Sequence, residues 1–513
     1  MSIPDAPRHH DAQRHILTRL WTAATREPLP GITHHHRTHR GHHLRSHTGA
    51  TITGPHTHDF DTTHAHIHID GIPITHPAQL APHLTPDPTT AARLADQATE
   101  SARNLAHARA AATPHPPPHR LHDTATAHHP DPGVYFEQIN PDGHPLHPLN
   151  RTRGGLPPER LTDWAPEHHP TVTLPLIPLT GHHHTGRDWP WHTPDRTPLL
   201  PVHPHQATHR PHLTAHATLT AAPLMSLRTL APHHHPHLHV KTSVDLQMTS
   251  AVRHVSPAAL HNGPILSRAL HTLTPHTGMA VHLETATLAA DHHGNPDPAL
   301  AAIIRRTPPR APGDITLPVA ALTATCPDTG TPLIATVITA SRLPPDRWWH
   351  HCAALLTTAP LHLATRHGIA LEAHGQNTLL TLRNWRPHRL VYRDFGGVRV
   401  DPHTPALRHA PALTGDIPEP DPDARLTVLT AALYATVLRH LVHSLSHHYT
   451  RPPHHWWRPV TTHTHHHTRH HSHTHDQLFG DTWPLKATTA MRLAPDPLRN
   501  RWTPIPNPIA GHR

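Results

Sequence analysis

Residues 371–397 read LEAHGQNTLLTLRNWRPHRLVYRDFGG. Glu372 and His374 lie two apart, so on extended backbone they share a face. Gly375 lets the chain turn, and Gln376 and Asn377 follow as amide ligands. An apolar run (378–382) and a polar turn lead to a second β-like run, 389–392, which delivers Arg393, Asp394, Gly396 and Gly397. The stretch predicts a hairpin with a carboxylate, an imidazole, an amide and a second carboxylate at one end. Oxygen ligands of that kind suit Mg²⁺, which keeps waters and is normally shared with nucleotide phosphates. A buried polar hairpin with mutually satisfied side chains is the alternative.

The composition around this stretch is unusual. Among 513 residues there are 71 His and 64 Pro, with 4% aromatic residues. Lys241 and Lys486 are the two lysines, so 41 of the 43 Lys and Arg residues are Arg. Such a bias looks like codon drift toward G+C-rich DNA, and it makes the scarce residue types informative. Tyr135, Phe136, Lys241, Asn262, Gln376, Asn377, Tyr392 and Phe395 all fall in the few stretches that carry chemistry. The net charge of +8 and pI near 10.4 admit an anionic partner. No Lys/Arg run, aromatic–basic pattern or zinc-finger spacing points to nucleic acid. Two cysteines, Cys326 and Cys352, exclude a disulfide framework. The polar N-terminus lacks a signal-like apolar region and no run reaches a membrane span, so a cytoplasmic protein with no membrane partner is expected.

Histidine pairs carry little information in this chain. At this His content, about ten pairs arise at any fixed spacing. That discount applies to 33–43 (THHHRTHRGHH), 182–184, 233–239 and 463–475, the last read as a surface insertion. The first 50 residues are read as one amphipathic helix, 14–24, in an otherwise mobile segment. Asp87 and Pro88 start a helix whose Leu94, Ala98, Ala102, Leu105 and Ala108 recur at helical spacing. After YFEQIN (135–140) comes GHPLHPLNRTRGGL (143–156). There two His flank stiffening prolines, and Arg151 and Arg153 alternate on one side, a set suited to a carboxylate or phosphate. Residues 171–179 read as a proline-interrupted edge strand. The runs 213–219 and 238–246, with SLRT (226–229) between them, form a strand–loop–strand unit. In it Lys241 points away from the apolar face, toward the groove that SLRT borders. Ser226, Arg228, Thr229, Lys241 and Arg253 make a phosphate-binding set, without GxxxxGK[ST] or GxGxxG. Ser256–Pro257 starts another helix, and 278–340 reads as mixed strands. A helix from 348 toward 368 leads into the hairpin, and Asp423 caps a helix over 424–444.

In this order the motifs resemble the NRPS-independent siderophore synthetases of the aerobactin-synthetase (IucA/IucC-like) type. GHPLHPLNRTRGG is similar to that family's GHPxHPxxKxRxG, with Arg151 where the pattern usually has Lys. Gln206, SLRT, Lys241, TSAVR, NGP, EAHGQN, YRDFGG and the terminal MRL…NPI match as well. The resemblance runs from about residue 91 to residue 509. The departures are the His tracts, the first 80 or so residues and Arg151. The resemblance implies an α+β cupped hand. A helical thumb would span 1–170, with its first 80 or so residues partly mobile, fingers with an antiparallel sheet 171–345, and a largely helical palm 346–513. It implies that Ser226, Arg228 and Thr229 hold ATP phosphates, with Lys241, Arg253, His374, Asn377 and Asp394 completing the ATP site. Lys241, Arg253 and His374 would act at the reacting centre. Glu372, Asn377 and Asp394 would bind Mg²⁺, while His144, Arg153, Arg253 and Glu372 would face the carboxylic acid. The implied reaction adenylates a citrate-like acid and condenses it with an amine or hydroxyl, releasing AMP and pyrophosphate. A homodimer is implied too, and it has no signature in the sequence. Three other readings remain at this point. EAHGQN followed by RDFGG imitates kinase metal-binding elements, the His content suits a metal store, and the charge suits a nucleic-acid binder.

Overall fold

The computed structural model describes the chain except residues 1–5, 61–64, 113, 155, 187, 249–250 and 512–513. Gly155 and the Thr249–Ser250 start of TSAVR thus lie outside the described residues. Mixed helix and mostly antiparallel sheet make an α+β fold around three large apolar cores.

The N-terminal segment is more regular than its composition suggests. Helix Ala6–Ala24 buries Ile16, Leu20, Trp21 and Ala24 against helix Pro88–Ala111, which Asp87 caps by accepting from Thr90 N. Between them, strands β1 (Ile32–Thr38), β2 (Gly41–Ser46), β3 (Thr51–Gly54), β4 (Ile67–Ile69) and β5 (Ile72–Ile74) form a sequential antiparallel sheet. The expected helix over 14–24 lies within Ala6–Ala24, while the rest of the stretch, read from the sequence as mobile, is largely sheet. Leu44, Ile52, Ile67 and Ile74 point inward one per strand, a signal too sparse to stand out among His and Thr.

The central strands are β6 (Val172–Pro178), β7 (His182–Gly186), β8 (Leu199–Pro201), β9 (Ala217–Pro223), β10 (Thr229–Pro232) and β11 (Leu238–Thr242). Next come β12 (Val244–Met248), β13 (Ala251–Arg253), β14 (Met279–Val281), β15 (Leu283–His292) and β16 (Asn295–Arg306). Eight of them form one sheet in the order β7-β15-β16-β11-β10-β9-β6-β8. Two expectations change here. β6 is not an edge strand but pairs with both β9 and β8; Pro175 lacks an N–H, yet its carbonyl accepts from Val202 N at 3.0 Å. The run 238–246 is not one strand either. It breaks at buried Ser243, whose Oγ donates to Pro298 O (2.6 Å) and accepts from Val255 N (3.0 Å), so β12 leaves the sheet to pair with β13.

In the last third, β17 (Ile315–Pro318), β18 (Ile369–Ala370), β19 (Thr378–Arg383) and β20 (Arg386–Tyr392) follow. The expected hairpin is β19–β20, inside a four-stranded sheet ordered β14-β20-β19-β17. Residues 333–341 form a helix rather than a strand, because Ile334, Val337 and Ile338 bury one face at helical spacing. The long helix near residue 430 is capped by Asp421, not Asp423, and runs on to Tyr449 through a nine-residue π-helical stretch, Thr430–Leu438. Among the described residues it alone is long and apolar enough to cross a membrane, and most of it is buried inside the fold. The His-rich stretch 463–475 is no insertion. Helix Pro453–Thr468 packs on helix Pro345–His367, with Thr464 and Thr468 fully buried and Trp349 Nε1 donating to Trp456 O at 2.7 Å.

Candidate active site

A cleft of about 650 Å³ opens between the central sheet, the loop after residue 140 and the end of the β19–β20 hairpin. All the residues that the resemblance assigns to the site line it: His144, Arg153, Ser226, Arg228, Thr229, Lys241, Arg253, Glu372, His374, Asn377 and Asp394.

Strand register explains the cationic wall. Lys241 on β11 lies opposite Thr229 on β10 and Ile303 on β16, and Arg305 lies opposite Glu284 on β15. Directly opposed and i+2 residues share a sheet face. Thr229, Lys241, Glu284 and Arg305 thus project together, while Leu238 and Val240 enter the core behind.

The hairpin supplies the carboxylates. His374 N donates to Glu372 O (2.9 Å), Asn377 N and Thr378 N both donate to His374 O (3.0 Å each), and Arg393 N donates to Asn377 O (3.0 Å). These bonds tie 372–377 to 393–394. Asp394 has φ of 68°, a left-handed conformation uncommon for a non-glycine residue and a frequent mark of functional sites. A Cβ on Gly397 would lie 1.9 Å from Glu372 Oε2, so only glycine leaves that carboxylate its place.

Every carboxylate here meets a cation. Lys241 Nζ donates to both oxygens of Asp394 (3.0 and 2.9 Å), Arg305 Nη2 lies 3.0 Å from Asp394 Oδ2, and Lys486 Nζ donates to Glu372 Oε1 (3.2 Å). Burial opposes ionisation of Asp394, but Lys241 and Arg305 outweigh it and hold the carboxyl far below its usual range. For Glu372 burial is likewise outweighed, by Lys486 and His374. Burial brings the Lys241 ammonium down to about 8, against the pull of Asp394 and with help from Arg305 and Arg228. Burial also pushes the His374 imidazole down, so at neutral pH it offers hydrogen bonds rather than charge.

The phosphate-loop candidates form a tight turn. Ser226 Oγ accepts from Thr229 N (3.2 Å), and Arg228 Nη1 donates to the carbonyls of Arg253 (2.9 Å) and His254 (2.8 Å). Arg253 Nη2 donates to Met248 O (2.9 Å). The basic pair in 143–156 is more committed than its sequence implies. Arg151 and Arg153 both clasp buried Glu167 (2.9 and 3.0 Å), and Arg151 Nε donates to Pro141 O (2.6 Å). Arg151 is thereby a tie within the fold. Arg153 reaches the cleft wall with its guanidinium already engaged.

Sequence reading missed Arg305, Glu284, Lys486 and Glu137. Glu137 accepts from Met225 N (3.2 Å) and from Arg393 Nη2 (2.9 Å), joining the turn before SLRT to the hairpin. Its neighbours Tyr135 and Phe136 are scarce types and could have flagged it. Arg305 had only its place at the end of an apolar run as a signal.

For a metal ion, Glu372, Asn377 and Asp394 offer two carboxylates and an amide, hard oxygen donors that fit Mg²⁺ shared with phosphate and water. Among the described residues no three His, Cys, Asp or Glu side chains converge as a metal site, the His tracts included.

Residues 133–324 match the IucA / IucC family, and residues 346–498 match the Ferric iron reductase FhuF-like transporter family. The first match takes in a little over a third of the chain, and over that stretch the chain is similar to the IucA / IucC family. D-ornithine–citrate ligase of Staphylococcus aureus is 28% identical over 42% of this chain and 37% of its own length. Staphyloferrin A synthase of the same organism is 32% identical over 37% and 33%. The NRPS-independent siderophore synthetase rfs of Rhizopus delemar is 31% identical over 45% and 39%. The matched segments thus span little more than a third of these curated relatives. The fold is shared more widely. The petrobactin biosynthesis protein AsbB of Bacillus anthracis superposes with a TM-score of 0.81 over 98% of this chain and 96% of its own, at 18% identity. ATP-bound aerobactin synthetase IucA of Klebsiella pneumoniae gives 0.75 over 98% and 99%, at 16% identity. The IucA / IucC match, from Gly133 to Ala324, takes in the SLRT turn, Lys241, Arg253 and Arg305.

Proposed function

We propose that this protein is an ATP-dependent siderophore synthetase. It adenylates a citrate-like carboxylic acid and condenses it with an amine or hydroxyl, forming an amide or ester and releasing AMP and pyrophosphate. The observation that carries this reading is the joining of Lys241, Asp394 and Arg305 beside the SLRT turn and Glu372–His374 in one cleft. The relatives' names, a D-ornithine–citrate ligase and a staphyloferrin A synthase, support citrate and an amine as substrate types.

The chemistry follows from charge. A substrate carboxylate oxygen attacks the α-phosphorus of ATP and the bond to pyrophosphate breaks, building negative charge on the α-phosphoryl oxygens and the leaving group. Lys241, Arg228 and Arg253 surround that charge with donors already in place, so little reorganisation is needed during reaction. His374 adds a neutral hydrogen bond. Glu372, Asn377 and Asp394 would hold Mg²⁺, which when bound would screen phosphate charge. His144 and Arg153 also line the cleft, where the acid would sit. The amine then attacks the acyl carbon, loses its proton and expels AMP. No protein nucleophile is needed, and Cys326 and Cys352 are both buried.

The test is pyrophosphate release from ATP and Mg²⁺ with citrate, using hydroxylamine as surrogate nucleophile. Citrate-dependent AMP and pyrophosphate are expected, and both should vanish in Lys241→Ala. ADP as the product would instead make it a phosphotransferase.

A further inference from the structure

We propose that Gly263, Glu284 and Arg305 form a buried positioning relay that holds Asp394, and through it Lys241, in place. The part of this inference that concerns turnover rests on the functional reading above; the part that concerns geometry does not.

Arg305 is the hinge of the relay. Its side chain is 2% exposed, with Nε donating to Glu284 Oε1 (2.9 Å) and Nη2 lying 3.0 Å from Asp394 Oδ2. A planar guanidinium can bridge two carboxylates at once, which a lysine ammonium on a flexible stem does less well. Glu284 is Arg305's cross-strand partner, 3% exposed. It fills the space left by Gly263, where a Cβ would lie 1.8 Å from Glu284 Oε2. The helix that carries Gly263 is itself anchored. Asn262 donates to Thr414 O (2.8 Å) and accepts from Thr414 N (3.0 Å), so it cannot slide to relieve a larger side chain. The NGP motif thus acquires a physical role: Asn262 fixes the helix and Gly263 admits the glutamate.

A merely structural role fits less well. A buried Glu–Arg–Asp chain costs desolvation, and apolar residues of similar volume are often as stable or more so. What the chain supplies is direction, since Asp394 has a positive φ and borders open cleft. The Arg305 guanidinium sits 3.0 Å from one oxygen of that carboxylate, and Lys241 bonds both oxygens from the adjacent strand.

Lysine-selective acylation read by mass spectrometry tests this without turnover, because Lys241 and Lys486 are the two lysines. Their side chains are 7% and 36% exposed, so Lys486 serves as internal reference. Glu284→Ala and Gly263→Ala should each raise labelling of Lys241 relative to Lys486 by about tenfold, the worth of a lost charge-assisted hydrogen bond, and Arg305→Gln should raise it by less, since it also removes a cation that disfavours the ammonium. The double variant Gly263→Ala/Glu284→Ala should label no faster than Glu284→Ala alone, because the collision disappears with the carboxylate. In the pyrophosphate assay kcat should fall while the KM for citrate stays within about twofold. An unchanged Lys241-to-Lys486 ratio in Arg305→Gln and Glu284→Ala overturns the relay. Should Glu284→Ala not fold, the isosteric Glu284→Gln is read instead: a raised ratio supports the relay and a wild-type ratio overturns it. A wild-type protein that releases no pyrophosphate with any acid would remove the functional reading, while the labelling ratio would still decide the relay.

Discussion

The β1–β2 hairpin and the β19–β20 hairpin are both short antiparallel ribbons crowded with titratable side chains, and they use them in opposite ways. On the first, His35 Nε2 meets His42 Nδ1 (2.8 Å), His42 Nε2 meets His56 Nδ1 (3.0 Å), and His56 Nε2 meets Thr38 O (2.8 Å). The rings form a file, in which both nitrogens of His42 are used and none converge on a common point. Desolvation and then its two neighbours bring His42 down to about 4, so its ring is neutral. At the end of the second hairpin, Asp394 and Glu372 face Lys241, Arg305 and Lys486 across a cleft, and their charges are held. Water can replace the partners of an exposed ring, but not those of buried Lys241 and Arg305. The difference between surface decoration and a site is therefore one of burial, not of residue type.

The largest effect should come from Asp394→Ala. It leaves Lys241 without its carboxylate and Arg305 with Glu284 alone, and breaking a buried pair costs about 3–5 kcal/mol. Calorimetry should show a clearly lower Tm, and pyrophosphate release should fall by at least about a thousandfold. Activity close to wild type would place the chemistry elsewhere.

A subtler break is Gly397→Ala, whose Cβ would displace Glu372. The Kd for Mg²⁺·ATP, measured by calorimetric titration, should rise about tenfold, as for a lost metal ligand or its close support, with Tm little changed.

The Arg151–Glu167–Arg153 clasp predicts a pH signature. Burial opposes ionisation of Glu167, but Arg151 and Arg153 outweigh it and lower its carboxyl to about 2, below the ordinary 4.5. A depressed carboxylate stabilises the fold fully above its unfolded pKa, and the contribution is lost as pH falls through the folded value. Glu167→Gln should therefore be less stable than wild type by about 3 kcal/mol at neutral pH. The gap should close as pH falls from 4.5 toward 2. A gap that stays constant across that window would show that the clasp is not ionic.

The smallest effect belongs to the first hairpin. Changing His35 to Gln should alter stability by no more than about 0.5 kcal/mol and leave pyrophosphate release unchanged. Tight, stoichiometric Zn²⁺ binding that His35→Gln abolishes would contradict the contrast drawn between the two hairpins.

Much of this molecule was legible before any fold was known. The β19–β20 hairpin, the caps at Asp87 and Ser256, and the grouping of Lys241 with SLRT follow from period-2 alternation, capping chemistry and scarce residue types. Those signals are local, which is why one chain suffices to read them. The N-terminal sheet, the break at Ser243 and the buried helix Pro453–Thr468 were not legible. In each the apolar residues are few and spaced among His, Thr and Pro, so periodicity falls below the background of this composition.

The sequence by itself determined which residue types gather in the cleft, because drift toward Arg and His left Lys241, Asn377 and their neighbours as exceptions. Only the tertiary structure decided how they are held. Arg305, Glu284 and Gly263 come from two strands and a helix, and their joint action depends on cross-strand register and on a gap the size of one methyl group. Partnerships of that kind are set by packing between distant segments, where local propensity has no influence.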